Sequence, residues 1–362
     1  MQRTNANSNT LYSFDQVATL LRFEPSSFHT LMKDSCGWLD SEPRALKIGH
    51  LVSEHTGDRL LDFTRDLLAI AGSAELIRRQ RYRVATTIVD ALNSFRERDR
   101  IRWRAYNTRL LLEVCGICTK VANVVSTQGG QLFKSLEKEC RAGRYPTEVF
   151  DKTPYLLKSL WERAERTGVD WIHLIETGEF KPYDRADIRF SDIADFRDRK
   201  DSIGELLASI EDAVRNFEPL SHVDFGSLYT FLSEFVHPNR GAFMEVEQQV
   251  APSTAHPHLH ISEIAWHPVH SSDWSEDYRE LRMATEKTLS LMQRYAFIFG
   301  AYTSGKLKAE ELALRKICQT IIRYSLDFRS DIDRAAIFPL LPTGRCICLA
   351  PVDPSNCCLA KE

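Results

Sequence analysis

From Asp58 onward the apolar residues recur mostly at the spacing of an α-helix, and this period leaves few architectures open. Leu60, Leu61, Phe63, Leu67, Leu68 and Ile70 make one face, which is expected to close at Gly72. A longer helix should follow from about Ser73, and another from about Ile101 to Val125, ending before Gly129-Gly130. Gly130–Ala142, Pro154–Gly168 and Ser202–Phe217 read as further helices, and the far end as two long ones, Trp274–Tyr302 and Lys306–Phe328, parted by Ser304-Gly305. Before Asp58, Phe14–Phe23 and Ala45–Ser53 are short helical candidates. The period changes only once. Phe243–Val250 and Leu259–Trp266 alternate as short strands and Ala251–Pro257 joins them, so a small hairpin is expected within a mainly α fold. Composition divides the chain into an extension (1–56), a helical body (57–305) with the hairpin at about 243–266, and a C-terminal helix with a Cys-containing tail (306–362).

With 362 residues, 43% of them hydrophobic, the chain can bury a sizeable core. A net charge of -3 argues against a wholly basic nucleic-acid coat. Met1–Thr10 is polar and lacks the apolar run of a signal peptide, and Leu110–Val125 is interrupted by Glu113 and Lys120. A soluble, cytoplasmic protein without membrane contact is expected. In that setting the nine cysteines should be reduced thiols. Cys115 and Cys118 fit a helical core better than a zinc or redox pair, since zinc would need a second pair. Cys346, Cys348, Cys357 and Cys358 read as thiols in a loose tail.

Arg78, Arg79, Arg81, Arg83, Arg96, Arg98, Arg100, Arg102, Arg104 and Arg109 crowd one stretch, offset within it by Asp90, Glu97 and Asp99. The plainer reading is a solvated helix face paired with acidic neighbours elsewhere. The alternative is a phosphate-binding surface, with Arg78, Arg79, Arg81 and Arg83 at its head, because guanidinium forks match phosphate. Arg109 differs from the rest. It stands i,i+4 from Glu113 and is flanked by Leu110, Leu111, Leu112 and Val114, so both charges should pair beside a core.

In Leu228–Gly241, Leu228, Phe231, Leu232 and Phe235 repeat at helical spacing, with Ser221 or Asp224 as cap. Pro238 stops that helix and presents His237 at its end, beside Asn239 and Arg240. An imidazole so placed can donate, accept or ligate. Arg109, Glu113, Tyr229, Ser233 and His237 are expected to form one polar knot, either capping the helix exit or acting on a ligand. His256, His258, His260, His267 and His270 cluster near the hairpin, and His258 and His260 would share a strand face. No carboxylate or cysteine falls at a familiar metal spacing there, so neither a metal nor a cofactor is expected. Walker, dinucleotide and nucleophile-elbow motifs are absent from the chain.

Asn107-Thr-Arg-Leu-Leu-Leu-Glu-Val114 resembles the arginine–glutamate helix of a group of mostly bacterial helical proteins. Tyr229-Thr-Phe-Leu-Ser-Glu-Phe-Val-His-Pro-Asn239 resembles the tyrosine, Leu-Ser and Val-His-Pro signature of the same group. That group is similar to the HEPN superfamily, and the resemblance covers about Ser73–Tyr302. It implies an antiparallel helical bundle that commonly dimerises and suggests a part in stress or phage defence; RNA or a nucleotide is expected to be bound through Glu113, Tyr229, Ser233, Asn239 and the arginines. Many members are metal-independent ribonucleases that set an arginine a few residues before a histidine. Here His237 matches the histidine, while Thr230, Phe231 and Leu232 stand where the arginine should be. Arg109 or Arg240 would have to replace it. Non-enzymatic RNA binding, ribonuclease action and a protein-interaction scaffold are the three functions to separate.

Overall fold

Helix dominates the computed structural model, which describes residues 12–39, 59–96, 101–142, 177–179, 203–237, 247–252, 262–267 and 276–324. The mainly α class expected from periodicity is the one adopted. α1 (Phe14–Leu20) opens on a reciprocal capping box: the Gln16 N–H donates to Ser13 Oγ at 3.2 Å and the Ser13 N–H to Gln16 Oε1 at 2.7 Å. α2 (Pro25–Cys36) starts with proline in the first turn, and the Glu24 carboxylate caps it by accepting the Ser27 N–H at 2.8 Å. α3 (Arg59–Asn93), α4 (Ile101–Val124), α5 (Gly130–Arg141), α6 (Ile203–Val214), α7 (Phe225–Val236) and α8 (Glu276–Tyr324) follow. Between α7 and α8, β1 (Glu247–Pro252) pairs antiparallel with β2 (Ser262–His267), Glu247 opposite His267.

Two glycine breaks expected from the sequence, at Gly72 and at Ser304-Gly305, do not occur. α3 passes through Gly72 as one helix of 35 residues. Ile70, Ala71, Ser73, Ala74 and Leu76 around it are all buried, and that packing outweighs the helix penalty of about 1 kcal/mol for glycine. α4 ends at Val124, ahead of Gly129-Gly130 as expected, and a π-helical turn (Val125–Gly129) carries the chain on into α5. The Ser126 and Thr127 hydroxyls donate to the Asn123 carbonyl at 3.2 and 2.6 Å, holding it through the widened turn. α8 runs unbroken for 49 residues across Ser304-Gly305. Ser304 is buried there and donates to the Ser35 carbonyl at 3.5 Å.

Gly305 itself is exposed, and nothing lies within 4 Å of where a Cβ would stand. Gly305→Ala is therefore expected to stabilise the fold by about 0.5–1 kcal/mol. A urea titration should show a higher midpoint at unchanged slope; a lower midpoint would contradict a helical backbone at this position.

Two expected helices are shorter than their periodicity. α1 stops at Leu20 because Arg22 turns left-handed, at φ 58°, and the carbonyls of Leu21 and Arg22 receive the Arg294 guanidinium. α6 stops at Val214, and Phe217 packs instead on Tyr302, ring centroids 4.9 Å apart. Ala45–Ser53, Pro154–Gly168 and the C-terminal cysteines lie outside the described residues.

The chain groups into two units, neither of them a single stretch of sequence. The first comprises Met1–Glu42, Arg81–Gly116 and Ser209–Gly305; the second comprises Pro43–Gln80, Ile117–Ala208 and Lys306–Glu362. α3, α4 and α8 each contribute to both. In the first unit Phe28 is fully buried, 5.0 Å from both Phe14 and Phe23 and 5.9 Å from Phe297 between ring centroids. Burying such a side chain contributes about 1.5–3 kcal/mol. Gly300 lets α8 approach α3 and α4 here, since a Cβ would stand 3.1 Å from Ile88 and 3.5 Å from Leu111. The second unit holds a buried ionic cluster of Glu75, Arg78, Glu311 and Arg315. Cys118 in that unit is buried, its thiol 3.5 Å from Gln80 Oε1, and Cys115 in the first unit is buried as well; neither forms a disulfide.

By length and composition Ile101–Thr127 would suffice to cross a membrane, but 61% of its most apolar window is buried inside the protein, as in a core helix.

Candidate functional site

α7 is fixed before its last residue can matter. Asp224 caps it, accepting from the Ser227 N–H at 3.0 Å and the Ser227 hydroxyl at 2.6 Å, and these bonds hold the Asp224 carboxyl below its ordinary range. Leu228, Leu232 and Phe235 are buried, and Phe231 is half-buried against the Phe235 ring. The chain then leaves the helix at His237, whose backbone is extended (φ -81°, ψ 162°) and whose N–H still closes on the Ser233 carbonyl at 3.1 Å. Extended backbone is what a following proline imposes. His237 is thus an exposed side chain on an anchored stem.

α4 supplies the rest. Arg109 Nε donates to Glu113 Oε1 at 3.0 Å, the i,i+4 pair expected from the sequence. The Tyr229 hydroxyl donates to the same Oε1 at 2.7 Å and accepts from Arg109 Nε at 3.1 Å and Nη2 at 2.7 Å. Arg109 Nη1 lies 3.3 Å from His237 Nε2. A guanidinium N–H can only donate, so Nε2 accepts, and the tautomer this contact assigns carries its proton on Nδ1. The structure thus brings Arg109, Glu113, Tyr229 and His237 together. Ser233 stays out, because its hydroxyl turns back to the Tyr229 carbonyl at 2.7 Å on its own helix. Asn239 and Arg240 lie outside the described residues.

Burial, then the hydrogen bond and charge of Glu113, push the Tyr229 phenol from 10.0 up to about 12, against the opposing pull of Arg109. The phenol therefore remains a donor at neutral pH. Because the folded value exceeds the unfolded one, the linked stability is fully present below pH 10 and is lost as pH rises toward 12. Tyr229→Phe is expected to flatten that part of the stability–pH curve. An unchanged curve would place the loss on another group.

The arginine-rich span does not act as one surface. Arg78 is buried with Glu75 Oε2 3.4 Å away, and Arg104 is buried with Nη2 2.8 Å from Gln293 Oε1 and 3.1 Å from Ser290 Oγ. Burial lowers Arg104 to about 10. Arg81 is half-buried over the Trp38 ring at 4.2 Å, while Arg79 and Arg83 are exposed. His267 lies on β2; His256, His258, His260 and His270 fall outside the described residues, among which no cluster of three metal-ligating side chains occurs. Sequence reasoning missed an exposed, stacked pair on α4, Trp103 and Tyr106; their i,i+3 spacing was the available signal.

Fold and site together define a mainly helical protein with an arginine–glutamate–tyrosine–histidine cluster at a helix exit. No protein-family model, curated protein or solved structure matches the chain.

Proposed function

We propose that this is a HEPN-like helical bundle with a small hairpin insertion, acting as a homodimer, that binds RNA or a nucleotide through phosphate. One observation carries the reading: Arg109 Nη1 stands 3.3 Å from Nε2 of the exposed His237, so guanidinium and imidazole share one rim. Among the described residues Arg109 keeps N–H donors beyond those spent on Glu113, Tyr229 and His237. Glu113 and Tyr229 orient those donors, and a preset guanidinium loses little freedom on meeting a phosphate. A place in stress or phage defence accords with this chemistry. The test is affinity for an oligouridylate over a salt series, wild type beside Arg109→Lys. Binding should weaken steeply as salt rises; no binding at low salt would overturn the reading.

The same contact favours a second reading, ribonuclease action without a metal. As the Arg109 guanidinium turns from His237 to the phosphate, Nε2 is freed; the ribose 2′-oxygen would attack phosphorus while Nε2 takes its proton, the bond to the 5′-oxygen would break, and water would protonate that oxygen. Arg109 would hold the charge building on the phosphate. Cleavage in chelator by the wild type and not by His237→Ala is the expected sign. Equal cleavage by both proteins would rule His237 out.

A further inference from the structure

We propose that Trp103 and Tyr106 form a stacking platform for an unpaired base of single-stranded RNA, beside the Arg109 cluster. This rests on the phosphate-binding reading above. Trp103 is 48% and Tyr106 42% exposed, although the fold has core enough to bury large aromatic side chains such as Phe95 and Phe297 completely. Their rings lie nearly parallel, 11° apart in plane and 5.6 Å between centroids, so each braces the other and outer ring surface faces solvent. Both sit on the exposed side of α4. Exposed Arg102 precedes Trp103, Tyr106 follows one turn later, and Arg109 and Glu113, both half-buried, come one and two turns further on.

At about 1.5 Å of rise per residue, Trp103 and Arg109 stand about 9 Å apart along the axis. That separation suits a base on the rings with a neighbouring phosphate at the guanidinium. The aromatic pair is followed by the Arg109 guanidinium as a base is followed by a phosphate along a single strand, and stacking accepts any base because every base has a π face. A duplex keeps its bases stacked inside and offers the platform nothing. The ligand class is therefore single-stranded RNA rather than duplex.

The test uses the full chain and a fluorescein-labelled oligouridylate, read by anisotropy. Trp103→Ala should weaken binding about 10-fold, with Trp103→Phe recovering most of it and both variants melting like the wild type. The same strand annealed to oligoadenylate should bind more weakly than it does alone. Wild-type affinity in Trp103→Ala, or a duplex bound as tightly as the single strand, would overturn the platform and leave the phosphate reading standing. No binding by the wild type at low salt would overturn both. A Trp103→Ala protein that elutes as a smaller species with unaltered RNA affinity would make this face a contact between copies, and the proposal would fall.

Discussion

Glu75→Ala is expected to destabilise the protein by about 3–5 kcal/mol, measured as a fall in the urea midpoint. The Glu75 side chain is completely buried, with Oε2 3.4 Å from Arg78 Nη1 and 3.9 Å from Arg315 Nη2. Arg315 also binds Glu311 at 3.0 Å, and all four residues are at most 8% exposed. Among the described residues the cluster holds two acids and two bases. Removing Glu75 takes a buried carboxylate away from both Arg78 and Arg315 in a medium that solvates cations poorly, and the penalty falls on the groups that remain. Glu75→Gln, which keeps the shape and an acceptor, should lose less. If alanine lost under about 1 kcal/mol, the cluster would be behaving like a solvated surface pair.

Arg109→Lys should weaken RNA binding about 10-fold although it conserves charge. Arginine serves three partners from one rigid plane: Glu113, the Tyr229 hydroxyl and His237 Nε2. A lysine ammonium is a point donor on a flexible stem and cannot span all three while facing a phosphate. Salt dependence separates geometry from charge. The slope of log affinity against log salt should stay near the wild type's in Arg109→Lys and fall by about 1 in Arg109→Met. The accompanying stability loss should be about 1–3 kcal/mol in Arg109→Met, because the Arg109 side chain is 13% exposed and its removal takes a donor from Glu113 and the Tyr229 hydroxyl. Wild-type affinity in Arg109→Lys would mean that the fork does not meet the ligand.

Part of the site was legible before any coordinates. An i,i+4 arginine and glutamate among leucines must pair, and a histidine before a proline must leave its helix; both are local rules acting within one turn. The partnership of the two segments depends on residues 128 positions apart, Arg109 and His237, which no local rule reaches. Arg104 shows the same limit. Its neighbours in sequence mark a solvated face, but Gln293, 189 residues away, receives its guanidinium in the core. Trp103 and Tyr106 are large and aromatic yet exposed, since exposure is a property of what packs nearby.

The sequence by itself determined that the chain would be mainly helical, where α7 would end, and that Arg109 and Glu113 would share a helix face. Spacing, caps and the proline after His237 act at short range and need no partner. Only the tertiary structure decided that α3 and α8 would run through Gly72 and Gly305 and that α4 would turn into α5 through a π-helical turn. It also decided which arginines would be buried and that Tyr229 would bridge Glu113 to Arg109 beside His237. A glycine break is a matter of about 1 kcal/mol locally, and long-range packing of apolar and ionic groups exceeds it.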